Sequence, residues 1–220
     1  MGLNKQKGNM YGFVTHTWNT IKGKCLHDCS YCYMKRFPQR ELHFDEKELK
    51  TDLGTGNTIF VGSSCDMWAD NINKEYIIKT ISHCFKYSNS YLFQTKNPDG
   101  FIKYLDWFSL PCNTILCTTI ETNRKNSLMG FTPSIQERVN AMMQLEKHKR
   151  MITIEPVMDF DIEIMVSIML SIQPFQINIG ADSGRNHLPE PPKNKILELM
   201  YALSELTIVH QKDNLKRLLK

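Results

Sequence analysis

The chain has 220 residues and a net charge of +4, with 41% hydrophobic and 23% charged residues. This length supports one sizeable hydrophobic core, and the composition excludes a disordered or fibrous chain. The N-terminal residues lack the apolar stretch of a secretory signal, and no apolar run approaches the roughly 20 residues that span a bilayer. We therefore expect a cytoplasmic globular protein with no membrane contact.

Short apolar segments alternate with amphipathic stretches along the chain. Strands are predicted at 11–17, 58–62, 91–95, 114–120, 151–155 and 176–180. Helices are predicted at 45–53, 74–87, 99–106, 134–148, 162–172 and 193–206. This alternation indicates βα units around a parallel sheet, and six units are two fewer than a full barrel has. We predict one α/β domain over 1–220, a partial (β/α)6 TIM-like barrel; an open doubly wound sheet is the alternative.

The predicted core runs over 11–206, and a basic tail follows at 207–220. Within this tail, 212–220 is predicted as a last amphipathic helix on the barrel floor.

Polar side chains follow nearly every predicted strand, and in parallel α/β folds the working residues gather at these carboxyl ends. In chain order they are Ser63, Ser64, Asp66, Thr95, Lys96, Thr119, Glu121, Glu155, Asp182 and Ser183. The sequence therefore predicts that one mouth of the barrel holds the functional site.

Three of the seven cysteines lie in the run Cys25-Leu-His-Asp-Cys29-Ser-Tyr-Cys32, directly after the first predicted strand. A structural zinc site closes four corners with Cys or His, whereas an iron–sulfur cluster held by three thiolates keeps one iron open. The spacing favours such a catalytic cluster over a disulfide framework, and it fits reduced thiols. A zinc knuckle that uses His27 or His16 as the fourth ligand is the alternative.

Positive charge is concentrated in the first 40 residues, where seven basic side chains and one acidic side chain give +6. The basic residues are Lys5, Lys7, Lys22, Lys24, Lys35, Arg36 and Arg40. A basic surface beside the cysteine motif would favour an anionic substrate such as a nucleotide or nucleic acid. A solvated charged loop is the alternative.

The cysteine motif resembles that of the radical S-adenosylmethionine (radical SAM) superfamily, in which an aromatic residue, here Tyr31, precedes the third cysteine. The resemblance implies that Cys25, Cys29 and Cys32 hold a [4Fe–4S] cluster whose fourth iron takes the amino and carboxylate groups of S-adenosylmethionine. It implies reductive cleavage to a 5′-deoxyadenosyl radical that abstracts hydrogen from the substrate. It also implies a one-electron donor of the flavodoxin or ferredoxin type.

Further motifs resemble the spore photoproduct lyase branch of this superfamily, whose members repair DNA. They are Tyr31-Cys32-Tyr33, the segment 60–66 and Gln94-Thr95-Lys96. A branch common in phage and bacterial genomes looks closer still, through Trp18-Asn19, the segment 59–66, Thr95-Lys96-Asn97-Pro98, Ile154-Glu155-Pro156 and the segment 179–184. Together these similarities cover about residues 11–185.

The resemblance and the strand-end positions imply a cofactor site. Its candidate residues are Tyr31, Tyr33, Ser63, Ser64, Asp66, Lys96, Thr119, Glu121 and Glu155. Lys96 would meet the S-adenosylmethionine carboxylate; a surface lysine before the turn 97–100 is the alternative. Glu121 or Glu155 would accept from the ribose hydroxyls or amino group; helix capping is the alternative for both. Arg185, after strand six, would clamp a phosphate in bidentate fashion, unless Asp182-Ser183-Gly184-Arg185 is a plain turn.

Cys65 is the candidate catalytic residue. In the lyase branch a cysteine of the second-strand segment returns a hydrogen atom, but alignment on Asp66 places that position at Ser63. A shift of two residues keeps the same strand face, so Cys65 would still point at a substrate; burial in the core is the alternative. The DNA-lesion activity is therefore not carried over.

The sequence predicts a radical SAM enzyme acting on a nucleotide or nucleic acid, of lyase or base-modifying type. A radical SAM enzyme that modifies a peptide or protein is one alternative. A zinc-stabilised nucleic-acid-binding module without catalysis is the other.

Overall fold

The computed structural model describes residues 2–6, 10–105 and 108–220. Lys7 of the basic segment and position 106, the last residue of the predicted helix 99–106, lie outside the described residues. In the described part of the chain the strands are β1 (Asn4–Lys5), β2 (His16–Trp18), β3 (Ile21–Lys22), β4 (His43–Phe44), β5 (Thr58–Val61), β6 (Ser90–Thr95), β7 (Thr114–Thr119), β8 (Lys149–Ile154), β9 (Gln176–Ile179) and β10 (Ile208–Gln211).

Five α-helices lie between or after these strands in the described residues. They are α1 (Lys74–Cys84), α2 (Asp99–Leu105), α3 (Ile135–Gln144), α4 (Ile162–Ile172) and α5 (Lys193–Ser204). Shorter 3₁₀ turns lie at Tyr33–Arg36, Glu46–Lys50, Ser127–Met129 and Asp213–Leu218. None of the described helices is long and apolar enough to cross a bilayer.

One sheet carries the fold, with the strand order β1-β2-β5-β6-β7-β8-β9-β10. All neighbours in it pair in parallel except β1, which runs antiparallel to β2. A second, two-stranded sheet joins β3 to β4. The parallel strands follow one another in space as they do in sequence, so all their carboxyl ends meet at one edge. The expected α/β partial barrel is confirmed.

The central strands are buried on both faces, which explains their nearly continuous apolar runs. On one face alternate residues such as Ile59 and Phe93 join a large core with the helices. On the other face Phe60, Leu92 and Cys117 form a smaller cluster. Further along these strands the residues on the same face are polar, since Gln94 follows Leu92 and Thr119 follows Cys117. The change from apolar to polar marks where the interior of the barrel opens into its mouth.

Several predicted elements are shorter than expected: the helices predicted over 74–87 and 134–148 are Lys74–Cys84 and Ile135–Gln144. Two further elements differ more. The first strand, predicted over 11–17, covers only His16–Trp18. Tyr11 and Val14 before it are buried against the inner face of the sheet instead. The helix predicted over 45–53 is a 3₁₀ turn at Glu46–Lys50, which Asp45 caps by accepting from the backbone N–H of Lys47.

The segment 207–220 differs most from its prediction. It begins with β10, a seventh parallel strand that pairs with β9 through Ile208↔Gln176 to Gln211↔Ile179. Because β10 runs parallel to its neighbour, the chain leaves it at the carboxyl edge, where the turn Asp213–Leu218 follows. The prediction of a floor helix is therefore wrong: the segment forms part of the mouth, and its Leu215 is fully buried in the main core.

We expect Leu215→Ala to destabilise the protein by about 2–5 kcal/mol, the usual cost of truncating a fully buried leucine. The matched control is Leu206→Ala, because Leu206 is 41% exposed and should cost less than about 0.5 kcal/mol. Urea unfolding followed by circular dichroism measures both. Equal effects of the two substitutions would show that the C-terminal segment is not docked as described.

Candidate active site

A cavity of about 530 Å³ opens at the carboxyl edge of the sheet, and we call it the mouth. This volume lies in the range of small-molecule sites. The predicted site residues that line it are Cys25, Cys29, Tyr31, Cys32, Tyr33, Ser63, Ser64, Cys65, Asp66, Lys96, Thr119 and Glu155. Of the predicted set, Glu121 is not part of the lining. The fold thus brings together residues that are up to 130 positions apart in sequence.

The cysteine loop, residues 23–32, is held from outside by the segment 127–131. The Ser30 backbone N–H donates to the Leu128 carbonyl at 2.9 Å, and the Phe131 N–H donates to the His27 carbonyl at 2.7 Å. Between these contacts Gly130 has φ +67°, and a Cβ there would lie 2.0 Å from the His27 oxygen. A glycine is therefore required for this close approach.

Asp66 ties the cysteine loop to two strand ends. Its Oδ2 accepts from His27 Nε2 at 2.8 Å, from the Thr95 hydroxyl at 2.9 Å and from the Lys96 backbone N–H at 2.8 Å. Its Oδ1 accepts from the Trp68 N–H at 3.0 Å. Four donors on one carboxylate make Asp66 a positioning residue within the wall of the mouth.

The surroundings of the Asp66–His27 pair favour its ionised form, although little of the pair is exposed. Burial alone would raise the pKa of Asp66, but the hydrogen bond and the charge of His27 hold that pKa below its ordinary value. Burial would likewise lower the pKa of His27, and the Asp66 carboxylate raises it instead. The cysteine loop is therefore anchored by a charge-assisted bond in a dry environment.

Cys65 lies against the cysteine loop. It is buried, as one reading of the sequence expected, and it also lines the mouth, as the other expected. Its thiol hydrogen-bonds the sulfur of Cys25, which lowers the pKa of Cys25 to about 6 and raises that of Cys65. Of these two thiols, Cys25 is the one whose thiolate is favoured near neutral pH.

Lys96 belongs to a largely buried network that begins at Tyr31. The Tyr31 hydroxyl donates to Glu121 Oε1 at 2.5 Å, and Lys96 Nζ donates to the same carboxylate oxygen and, at 3.2 Å, to the Tyr31 hydroxyl. The other oxygen, Glu121 Oε2, accepts from Arg138 Nη1 at 2.7 Å. Glu121 therefore places Lys96 and Tyr31 from behind the wall of the mouth.

Arg138 is fully buried, and the sequence analysis did not single it out. Besides Glu121, its guanidinium donates to the carbonyls of Thr119 (2.9 Å) and Pro133 (2.9 Å) and to the Thr132 hydroxyl (2.5 Å). It lies on the apolar face of α3, beside Val139 and Met142. A basic residue on the apolar face of a helix is the signal that could have identified it.

A further carboxylate, the half-buried Glu155, lies across the mouth. Lys212 pairs with its Oε2, and Asn214 Nδ2 donates to its Oε1 at 2.8 Å. Asn214 also donates to Ser183 Oγ at 2.8 Å. A Cβ on Gly180 would lie 2.7 Å from Glu155 Oε1, so the glycine makes room for this arrangement. Both Lys212 and Asn214 come from the segment whose position was predicted wrongly.

The mouth suits a thiolate-held iron–sulfur cluster in its donor chemistry. Its walls present the three motif cysteines as free thiols, soft donors typical of such clusters. The Ser64 hydroxyl is buried there with no hydrogen-bond partner among the described residues. Across residues 2–6, 10–105 and 108–220, no group of three or more His, Cys, Asp or Glu side chains is arranged around a single metal ion. His27 and His16 are the two candidates for the fourth ligand of a zinc site. His27 binds Asp66 through Nε2, and His16 is not among the residues that line the mouth.

The parallel strands form a partial α/β barrel, with the loop of three cysteines after β2 and the mouth at the carboxyl edge. Solved structures of radical SAM enzymes match this fold, which confirms the expected resemblance at the level of the fold. No protein-family model and no curated protein sequence matches the chain.

The particular structures that it resembles are those of spore photoproduct lyase and of SuiB from Streptococcus suis. A cysteine-to-alanine mutant of the lyase with dinucleoside spore photoproduct matches with a TM-score of 0.60 and 12% identity, over 93% of this chain and 66% of the lyase. A double mutant of the lyase with bound AdoMet and the same dinucleoside matches with a TM-score of 0.59 and 11% identity, over 93% and 66%.

SuiB bound to the precursor peptide SuiA matches with a TM-score of 0.60 and 9% identity, over 89% of this chain and 48% of SuiB. The chain therefore spans less than two thirds of the lyase chains and about half of SuiB. None of these comparisons concerns the resemblance to the phage-associated branch, which stays a prediction.

We expect Glu121→Gln to lower the free energy of unfolding at pH 7 by about 3–5 kcal/mol, because it leaves two largely buried cations without their counter-ion. Burial would raise the pKa of Glu121, but Lys96 and Arg138 lower it from 4.5 to about 2. The ionised Glu121 carboxylate thus stabilises the folded protein fully above about pH 5, and this stabilisation is lost as the pH falls towards 2.

Urea unfolding of both proteins between pH 7 and pH 2.5 tests this prediction. The difference between wild type and Glu121→Gln should narrow as the pH falls. A difference that stays constant across this range would contradict an ionised Glu121.

We expect Gly180→Ala to displace Glu155 from Asn214 and to cost about 1–3 kcal/mol of stability through overpacking. Gly12→Ala is the matched control, because a Cβ at Gly12 has no neighbouring atom within 4 Å. Chemical unfolding measures the stability of both variants. If the two variants were equally stable, Glu155 would not lie against Gly180 as described.

Proposed function

We propose that this chain is a radical SAM enzyme, with a [4Fe–4S] cluster on Cys25, Cys29 and Cys32 and S-adenosylmethionine in the mouth. The observation that carries the proposal is the convergence of these three free thiols and the Lys96 network on one cavity at the carboxyl edge. When bound, the cluster and S-adenosylmethionine supply the reductive cleavage that yields the 5′-deoxyadenosyl radical.

In this proposal Lys96 receives the carboxylate of S-adenosylmethionine. Lys96 and Arg138 contribute two positive charges and Glu121 contributes one negative charge, so the network retains one net positive charge. The carboxylate of the ligand neutralises this charge in a site where Arg138 and Glu121 are fully buried. Glu121 itself positions the ammonium rather than touching the ligand.

The remaining predicted residues either contact the ligand in this proposal or hold the walls of the mouth. Ser63 and Ser64 offer backbone and hydroxyl groups to the ligand, and Tyr33 fixes this turn by donating to the Ser63 carbonyl at 2.7 Å. Thr119 and Glu155 also line the mouth, and we assign them to the ribose or the amino group. Tyr31 and Asp66 hold the walls in place.

Cys65 is proposed as the residue that exchanges a hydrogen with the substrate. It lines the mouth, and its raised pKa keeps it as a protonated thiol, the form that carries the hydrogen. Because Cys65 hydrogen-bonds Cys25, it lies next to the proposed cluster.

A nucleotide or nucleic acid is the proposed substrate, because Lys24 lines the mouth and the basic residues Lys35 and Arg36 end the 3₁₀ turn beside it, which favours an anion. Lys35 and Lys212 also line the mouth, where they are paired with Asp28 and Glu155. The fold is shared equally with a lyase structure that holds a dinucleoside and with SuiB, which holds a peptide, so the preference rests on charge. A flavodoxin- or ferredoxin-type protein would supply the electron, in a reducing cytoplasm.

Anaerobic reconstitution with iron and sulfide, followed by S-adenosylmethionine and dithionite, tests the chemistry. We expect about four iron atoms per chain, as the proposed cluster type requires, and 5′-deoxyadenosine detected by mass spectrometry. Cys29→Ala should abolish both. Cys112→Ala is the matched control, because Cys112 is exposed and outside the mouth, and it should retain both.

A colourless protein that holds zinc and forms no 5′-deoxyadenosine would contradict the proposal. That result would favour the zinc-stabilised nucleic-acid-binding module.

A further inference from the structure

A second cavity, of about 330 Å³, lies beside the mouth. Two residues, Asp182 and Ser183, line both cavities. The charged lining residues of the second are Arg185, Lys216, Arg217 and Lys220, which are basic, and Asp182 and Asp213, which are acidic. We call this cavity the basic rim, because four of these side chains are basic and two are acidic.

The acidic groups of the basic rim are engaged by the protein. Asp182 is buried, and its carboxylate accepts from the Gly184 N–H at 2.9 Å and from the Asn186 backbone and side chain. Asp213 forms an exposed ion pair with Lys216 at 2.7 Å. Exposed pairs of this kind are weak, so Lys216 can exchange its partner for a stronger anion at little cost.

Arg185 is available to a ligand. It is exposed, and no hydrogen bond or ion pair of its guanidinium is found among the described residues. Arg217 lies in the same lining, where it donates to the Asp182 carbonyl at 3.0 Å and to Glu190. Arg217 is thus fixed by the protein, whereas Arg185 retains all its donors.

The basic rim is continuous with the cysteine loop side of the mouth. Arg36, next to the basic Lys35, donates from Nη2 to the Ser183 carbonyl at 2.8 Å. Positive charge therefore extends from the 3₁₀ turn after the cysteine loop, across Ser183, to the C-terminal segment. A ligand that fills the mouth and extends past Asp182 and Ser183 would lie over this surface.

We propose that the basic rim binds the phosphodiester groups that flank the nucleotide whose base enters the mouth. This proposal rests on the proposed function, which supplies the nucleic-acid substrate and the mouth that receives its base. The planar fork of Arg185 matches a phosphate oxygen pair, and Lys216 adds a point charge. A single-stranded substrate fits best, because its base can enter the mouth without unpairing.

Fluorescence anisotropy with a labelled single-stranded DNA of about twelve nucleotides, within the span that single-strand binding grooves cover, tests the basic rim on the full-length, anaerobically reconstituted protein. The test variant is Arg185→Gln/Lys216→Gln. The matched control is Lys86→Gln/Lys147→Gln, which removes the same charge from exposed positions before β6 and β8, at the opposite edge of the sheet. Thermal melts by circular dichroism verify that both variants are folded.

We expect the test variant to bind the DNA about tenfold more weakly at about 0.1 M salt, and the control to stay within about twofold of wild type. A plot of log affinity against log salt concentration should become less steep by about 1.4. Each phosphate of a single strand that is no longer neutralised contributes about 0.7, and the variant removes two cations. Equal binding by the test variant and wild type overturns the proposal, as does a wild type that binds no DNA.

A labelled oligoglutamate of the same length distinguishes an acidic peptide from a nucleic acid. Peptide binding that matches DNA binding in strength, and that is abolished in the same variant, overturns the assignment to phosphodiesters. Calorimetric titration of the wild type with S-adenosylmethionine is scored separately. Failure of that titration counts against the proposed function, whereas the DNA result alone decides the basic rim.

Discussion

The ionised carboxylate of Asp66 is the interaction on which the mouth depends. It receives donors from the cysteine loop, from its own turn and from the end of β6, and it keeps its charge because His27 is its partner. Without it, the cysteine loop would be fixed by its backbone contacts with residues 127–131 and by the Tyr31–Glu121 bond. One ionised group thus sets the distance between the cysteines and the strand ends.

The same principle is repeated around the mouth. Each of three buried or half-buried carboxylates, Asp66, Glu121 and Glu155, is paired with a basic side chain from a distant part of the chain. Burying such charges costs free energy unless they are paired and hydrogen-bonded. The paired groups form a set of fixed dipoles and charges that need no rearrangement when a charged ligand binds. Preorganised sites favour polar chemistry in this way.

The sequence was sufficient to predict the parallel fold, because apolar strands and amphipathic helices alternate, and to identify the cysteine motif, because its spacing is local. It could not show that Glu121 faces Arg138 rather than the mouth, because this contact depends on how α3 packs on the sheet. It also missed Lys212 and Asn214. The strand Ile208–Gln211 is only four residues long, and its direction, not its composition, carries these two residues to the mouth.

The position of β10 has a consequence for how the site is made in the cell. Ribosomes build the chain from its N-terminus, so the cysteine loop emerges well before Asn214. Glu155, Ala181 and Ser183 receive their Asn214 contacts only at that stage. A nascent chain can therefore expose the three thiols well before the opposite wall of the mouth exists. Acquisition of the ligand and completion of the pocket that encloses it are thereby separated in time.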